Sequence, residues 1–175
     1  MGTFKFLRAV LLLPVPVTLL VPGLLLALDG EKPAWSLSWN GLPFLGGLVF
    51  ILLGLFLSVR SAFDFAAFGQ GTPAPWDPPR ALVVRGLYRY VRNPMISGVF
   101  AILLGEALLF GSRPVFLWFL AFLLLNWIYI PLSEERGLER RFGQAYLRYK
   151  KNVPRWIPRL RPWDPPQEKE DGHVQ

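Results

Sequence analysis

The sequence predicts an all-α integral membrane protein in a single domain, with about four transmembrane helices and a C-terminal amphipathic interfacial helix. Three observations lead there. The 175 residues are 53% hydrophobic and 15% aromatic with only 18% charged, too apolar for a water-soluble domain of this size. Four long runs carry little or no charge, each near the ~20 residues a helix needs to cross a hydrocarbon core of ~30 Å. The basic residues, finally, sit almost entirely on one side of those runs.

The first run, Ala9 to Leu28, is uncharged. Lys5 and Arg8 precede it as they would in a signal peptide, but the run is long for that role and no small-x-small cleavage site follows. We expect it to be retained. Pro14, Pro16 and Pro22 predict kinks, which neighbouring helices accommodate in lipid. The second run extends from Pro33 to Val59, its spanning part beginning near Leu42, so residues 1–64 hold two N-terminal transmembrane helices. Within it, "LGG" at Leu45 to Gly47 favours close helix packing. Met95 to Ser112 is interrupted only by Glu106, a carboxylate that is costly in a span and is expected to pair with Arg113 or to stay protonated in a structural role. Pro114 to Ser133 completes the four.

Of the 19 Lys and Arg residues, two precede the first run, five lie from Arg60 to Arg92 and ten follow the fourth, leaving only Lys32 and Arg113 opposite. By the positive-inside rule both termini and the middle loop face the cytoplasm, with a prokaryotic inner membrane as the expected setting. The formal charge of +7 then serves topology and contact with anionic lipid rather than nucleic acid. There is no cysteine, and the single histidine, His173, lies in the terminal tail. Disulfides, thiolate or histidine metal sites and histidine triads are therefore not expected, and no metal is assigned. The chemistry must use Arg, Glu, Asp, Asn, Tyr and backbone groups.

Residues 65–158 carry the cytoplasmic face. The loop from Phe68 to Pro94 is too rich in Gly and Pro for a long helix. Its "ALVV" segment is apolar enough to dip into the interface, and Trp76, Tyr88 and Tyr90 favour an ordered loop. Arg85 and Arg89 fit the positive-inside pattern. Asn93 suits a helix cap and Pro94 a first helical position, which leaves Arg92 without a structural role. Leu138, Phe142, Ala145 and Tyr149 recur at helical spacing with Tyr146 beside them, opposite Arg140, Arg141, Arg148 and Lys150. Such a helix lies on the membrane or folds over a neighbouring surface. Asn152-Val153-Pro154 stops it, and "RWIPR" is placed to anchor its end. Residues 159–175 are expected to form a flexible tail. Glu134-Glu135 has two readings: acidic residues behind an N-cap at Ser133, or paired carboxylates at membrane depth facing the basic loop.

"GLYRYVRNPMISG" followed by "EERGLERRFGQAYLRYKKNVPRWIP" resembles the isoprenylcysteine carboxyl methyltransferase and phospholipid methyltransferase superfamily. Gly86, Tyr88, Arg92, Pro94 and Gly98 match its first motif. Glu134, Glu135, Leu138, Phe142, Gly143, Tyr146, Tyr149, Val153 and Pro154 match its second. The resemblance covers roughly Gly69 to Pro158 and departs at Asn93, where isoprenylcysteine enzymes have His, and at Ile96, where the family has Tyr. It implies an integral membrane enzyme using S-adenosylmethionine, its acceptor a lipid or lipophilic small molecule entering from the bilayer. Leu87, Tyr88, Asn93, Pro94, Glu134 and Glu135 would line the cofactor pocket. Arg92 and Glu135 would be catalytic: an arginine orients a carboxylate acceptor, and a carboxylate base deprotonates an amine. Two alternatives stand beside this reading, an NADPH-dependent sterol-reductase-like membrane enzyme and a non-enzymatic membrane scaffold.

Overall fold

In the computed structural model, residues 14–29, 41–69 and 80–165 are described, and among these every regular element is helical. A π-helical turn (Pro16–Leu20) leads into α1 (Val21–Leu28). There follow α2 (Leu42–Phe68), a 3₁₀ turn (Gly86–Arg89), α3 (Pro94–Phe110), α4 (Arg113–Tyr129), a second π turn (Ile130–Glu134) and α5 (Glu135–Asn152). Residues 9–13 of the first expected span, Lys32, Trp76 and the tail beyond 165 lie outside the described residues.

Where the sequence expects a proline kink, the helical turn is widened. The Val21 N–H bonds the Pro16 carbonyl five residues back, and the Thr18 hydroxyl donates to the Pro14 carbonyl at 2.9 Å. Widened turns of this kind absorb prolines and reshape a helix locally. Trp118 of α4 donates its indole N–H to the Val17 carbonyl at 3.0 Å, tying this turn to the rest of the bundle.

The antiparallel pair α2 and α3 forms the closest packing, and glycines explain it. A Cβ on Gly47 would lie 2.7 Å from the Gly105 carbonyl oxygen, and one on Gly54 would lie 2.5 Å from that of Gly98. No side chain fits at either crossing. Of the two glycines expected to permit close packing, Gly47 does so, whereas Gly46 faces open space. Small residues let backbones approach where lipid removes the hydrophobic drive for association.

Among the described residues, two helices are long and apolar enough to cross a membrane: α2, and the 40-residue helix from Arg113 through Asn152. Pro16–Leu28 and Pro94–Phe110 are shorter apolar helices. The apolar part of the 40-residue helix ends near Ser133, where the charged sequence of α5 begins. Neither long helix is the core of a soluble protein, because Leu52, Phe56 and Phe63 on α2 and Leu117, Leu124 and Ile128 on α4 point outward. Surfaces this apolar are stable in hydrocarbon and not in water.

Two expectations are corrected. No helix begins at Ser133, so the capping reading of Glu134-Glu135 falls. The chain stays helical across the junction because the π turn accommodates Pro131, with the Glu135 N–H bonding the Ile130 carbonyl. The "ALVV" segment does not dip toward lipid either: Leu82 and Val84 pack on the buried cluster of Tyr146, Tyr149 and Val153, and Val83 is itself buried. Of the two positions open to the amphipathic helix, α5 takes the one folded over a neighbouring surface. Gly143 bends it (φ 49°, ψ −125°), a conformation that glycine adopts at little cost.

Candidate active site

The site is built where the 86–93 loop meets the start of α5. The loop is set first. Gly86 takes a left-handed conformation (φ +53°) and sits directly against the Asp64 carboxylate, where a Cβ would collide. The Leu87 N–H points to Asp64 Oδ2 at 3.4 Å. Asp64 is buried at the end of α2 and is paired with Arg60 one helical turn earlier, at 3.2 Å. Sequence reasoning missed Asp64; the available signal was a carboxylate four residues after an arginine at the edge of a span. The Tyr88 ring is then buried, and its carbonyl accepts a 2.7 Å hydrogen bond from the Tyr149 hydroxyl of α5.

Arg92 and Glu135, assigned separate catalytic roles from the sequence, meet directly. Arg92 Nη1 lies 2.7 Å from Glu135 Oε1 and 3.2 Å from the Tyr146 hydroxyl, while its Nε donates to the Val153 carbonyl at 2.9 Å. Its backbone N–H donates to the Pro154 carbonyl at 2.9 Å. Glu135 is only 2% exposed and takes two further cations: Arg155 Nε at 2.5 Å on Oε1 and Lys150 Nζ at 3.2 Å from Oε2. Lys150 also pairs with Glu139 at 2.6 Å. One carboxylate thus holds the loop, the helix and the segment after the helix.

The electrostatics follow from that. Burial alone would raise the Glu135 carboxyl, but the hydrogen bond from Arg155, the Arg92 charge and Lys150 outweigh it and hold it below the usual carboxylate range. Tyr146 is pushed up to about 12, first by burial and then by Glu135. The Tyr88 phenol is raised further still, by burial and then by the nearby charges of Glu134 and Asp64. Glu134 therefore shares a region with Tyr88. It is exposed, and no ion pair or hydrogen bond of its side chain occurs among the described residues.

Asn93 stands at the N-cap position of α3, but its side chain makes no capping bond. Its carbonyl accepts from the Ser97 N–H and hydroxyl, each at 3.0 Å, while Nδ2 is buried without a partner. Pro94 fills the first helical turn as expected. Leu87 lies in the 3₁₀ turn, its carbonyl accepting from Tyr90 and Val91. Within the third expected span, Glu106 is buried with Oε2 lacking a hydrogen bond, and it is not part of this cluster.

Residues past Val153 close the site from outside. Arg159 donates its backbone N–H to Tyr90 and Trp163 to Arg89, both at 3.0 Å. Arg89 pairs with Asp164, and the Trp163 ring rests 5.9 Å from that of Tyr149. The part of the expected flexible tail that is described, 159–165, is thus laid along the loop.

The family profile described as phospholipid methyltransferase matches residues 42–145, from the start of α2 to within α5. The chain belongs to this family. Over 115 residues it is 32% identical to the protein-S-isoprenylcysteine O-methyltransferase of Schizosaccharomyces pombe, covering 63% of this chain and 48% of that relative. The chain therefore spans about half the length of that relative. No solved structure matches. The methyltransferase family match takes in Tyr88, Arg92, Asn93, Glu134 and Glu135, while Arg155, Trp156 and Arg159 lie beyond it.

Proposed function

We propose that the protein is a membrane methyltransferase that uses S-adenosylmethionine at the cytoplasmic face, with four transmembrane helices and a lipid or lipid-like acceptor arriving from the bilayer. The observation that carries this reading is a division of labour between neighbours. Arg92 and Glu135 are bound to each other at 2.7 Å. Their chain neighbours Asn93 and Glu134 have side-chain groups without partners among the described residues.

These groups fit the cofactor. Buried polar groups are normally satisfied, so the Asn93 Nδ2 donor calls for an acceptor, and a nucleoside supplies several. The Glu134 carboxylate suits ribose hydroxyls or the cationic end of the molecule. Leu87, Tyr88 and Pro94 would form the apolar wall beside them. S-adenosylmethionine, when bound, supplies an electrophilic methyl on a sulfonium, and the acceptor's lone pair forms the new bond as the carbon–sulfur bond breaks.

The chain's task is to hold the partners aligned and out of water, which contributes several kcal/mol through proximity. Arg92 retains Nη2 beyond its bonds to Glu135, Tyr146 and Val153, and with it can orient a carboxylate acceptor. Glu135 is better suited to positioning Arg92 than to acting as a base, because three cations keep it ionised and occupied. If the acceptor is an amine, the free carboxylate of Glu134 is the base that remains. The fission-yeast relative is a protein-S-isoprenylcysteine O-methyltransferase, which supports the carboxylate reading.

Transfer of a labelled methyl from S-adenosylmethionine tests this, with a prenylcysteine acid and phosphatidylethanolamine as acceptors in lipid nanodiscs. Label in either product, lost on Glu134→Gln, supports the reading. Absence of label in both, with a well-folded protein that instead binds NADPH, would favour a reductase.

A further inference from the structure

Arg159 differs from the other arginines around the site. Arg60, Arg89, Arg92 and Arg155 each face a carboxylate. Arg159 is partly buried, its Nη1 is fully buried without a hydrogen bond, and no ion pair joins it among the described residues. Withdrawing a guanidinium from water without an acceptor is costly, so the position calls for an anion that the chain does not provide. Three residues earlier, the Trp156 indole N–H is likewise buried and unpartnered. Trp156 is fixed by its ring, which lies 5.2 Å from Phe100 of α3 and 6.0 Å from Trp127 of α4, nearly parallel to the latter.

Phe100 also meets Phe122 at 5.8 Å, and Trp127 is exposed on the outer face of α4. This aromatic group therefore runs from the lipid-facing surface to the segment that closes the site. A tryptophan with an apolar body and a polar N–H suits that boundary.

Resting on the methyltransferase reading, we propose that Arg159 and Trp156 form an anion-binding position at the membrane-side seam that holds the acidic headgroup of the acceptor. The Phe100–Trp156–Trp127 rings receive its hydrocarbon chain. The selected acceptor is a lipophilic carboxylate. The cofactor's own carboxylate offers the same chemistry, but the route through Phe100 and Trp127 leads from the bilayer, where a soluble cofactor does not travel.

The test compares binding of N-acetyl-S-farnesylcysteine with that of its neutral methyl ester, without and with S-adenosylmethionine, in wild type, Arg159→Gln, Arg159→Lys and Trp156→Phe. Wild type is expected to prefer the acid. Arg159→Gln should weaken the acid at least about tenfold, as loss of a charged hydrogen bond does, and leave the ester within about twofold. Arg159→Lys should restore part of the preference, since the charge remains without the fork. Trp156→Phe keeps a ring in the stack and should weaken the acid less.

S-adenosylmethionine affinity should stay within about twofold in all three variants. An acid preference unchanged by Arg159→Gln overturns the proposal, as does absence of acid binding by folded wild type. A loss of S-adenosylmethionine affinity in Arg159→Gln equal to the loss for the acid also overturns it and assigns the arginine to the cofactor. Acid binding without any S-adenosylmethionine binding keeps the anion site and removes the methyltransferase reading instead.

Discussion

At the scale of single residues, the Arg92–Glu135 pair decides how the site behaves. Both partners are nearly inaccessible, with side chains 9% and 2% exposed. Removing one partner of a buried pair leaves an uncompensated charge and costs about 3–5 kcal/mol. Arg92→Gln and Glu135→Gln should each lower the melting temperature strongly, and the double variant should lose less than the sum of the two. Glu135 also sets an acid limit. Its folded carboxyl lies below the unfolded value of about 4.3, so its stabilisation is complete above that pH and disappears as pH falls through the folded value. Thermal melts should therefore show wild type weakening as pH falls below about 4.3, with a shallower decline in Glu135→Gln.

The same pair shows what could be read from the sequence. That Arg92 and Glu135 come together was legible, because both stand in ordered motifs. Their direct bond was not, since neither motif says which cation a carboxylate takes when Arg92, Lys150 and Arg155 all come within reach. Asp64 was harder to read for a related reason: Arg60 one turn earlier hinted at it, but its role depends on the left-handed Gly86 packed against it, twenty-two residues further along the chain, which no local pattern encodes.

Among elements, the glycine faces of α2 and α3 and the bend in α5 carry the architecture. Gly54→Leu would force a side chain onto the Gly98 backbone and should prevent assembly of the helix pair, seen as loss of a monodisperse detergent-solubilised protein. Gly143→Ala meets no neighbour, but φ 49° with ψ −125° lies outside the regions open to L-residues, so it should lower the melting temperature by the equivalent of about 1–3 kcal/mol. Helix existence was legible from hydrophobic runs. The π turns were not, because Pro16 and Pro131 are equally compatible with kinks, caps or helix ends, and only packing against neighbours selects the widened turn. The closing segment escaped for the opposite reason. "RPWDP" has the composition of a free tail, yet the contacts of Trp163 with Tyr149 and of Asp164 with Arg89 hold it.

For the whole molecule, an apolar helical body supports a polar cluster at one end, with the loop, α5 and the closing segment joined through Glu135. Charge asymmetry in the sequence anticipated which end would be polar, and the cluster forms among those basic residues. In the proposed function, this cluster presents a cofactor site whose free groups are Asn93 and Glu134. Calorimetric titration of the purified protein with S-adenosylmethionine tests it most directly, with Asn93→Ala and Glu134→Gln alongside. Wild type should bind saturably, and each variant should bind at least about tenfold more weakly while its melting temperature stays near wild type. Binding undiminished by both substitutions, or no binding by folded wild type in detergent and in nanodiscs, would contradict it.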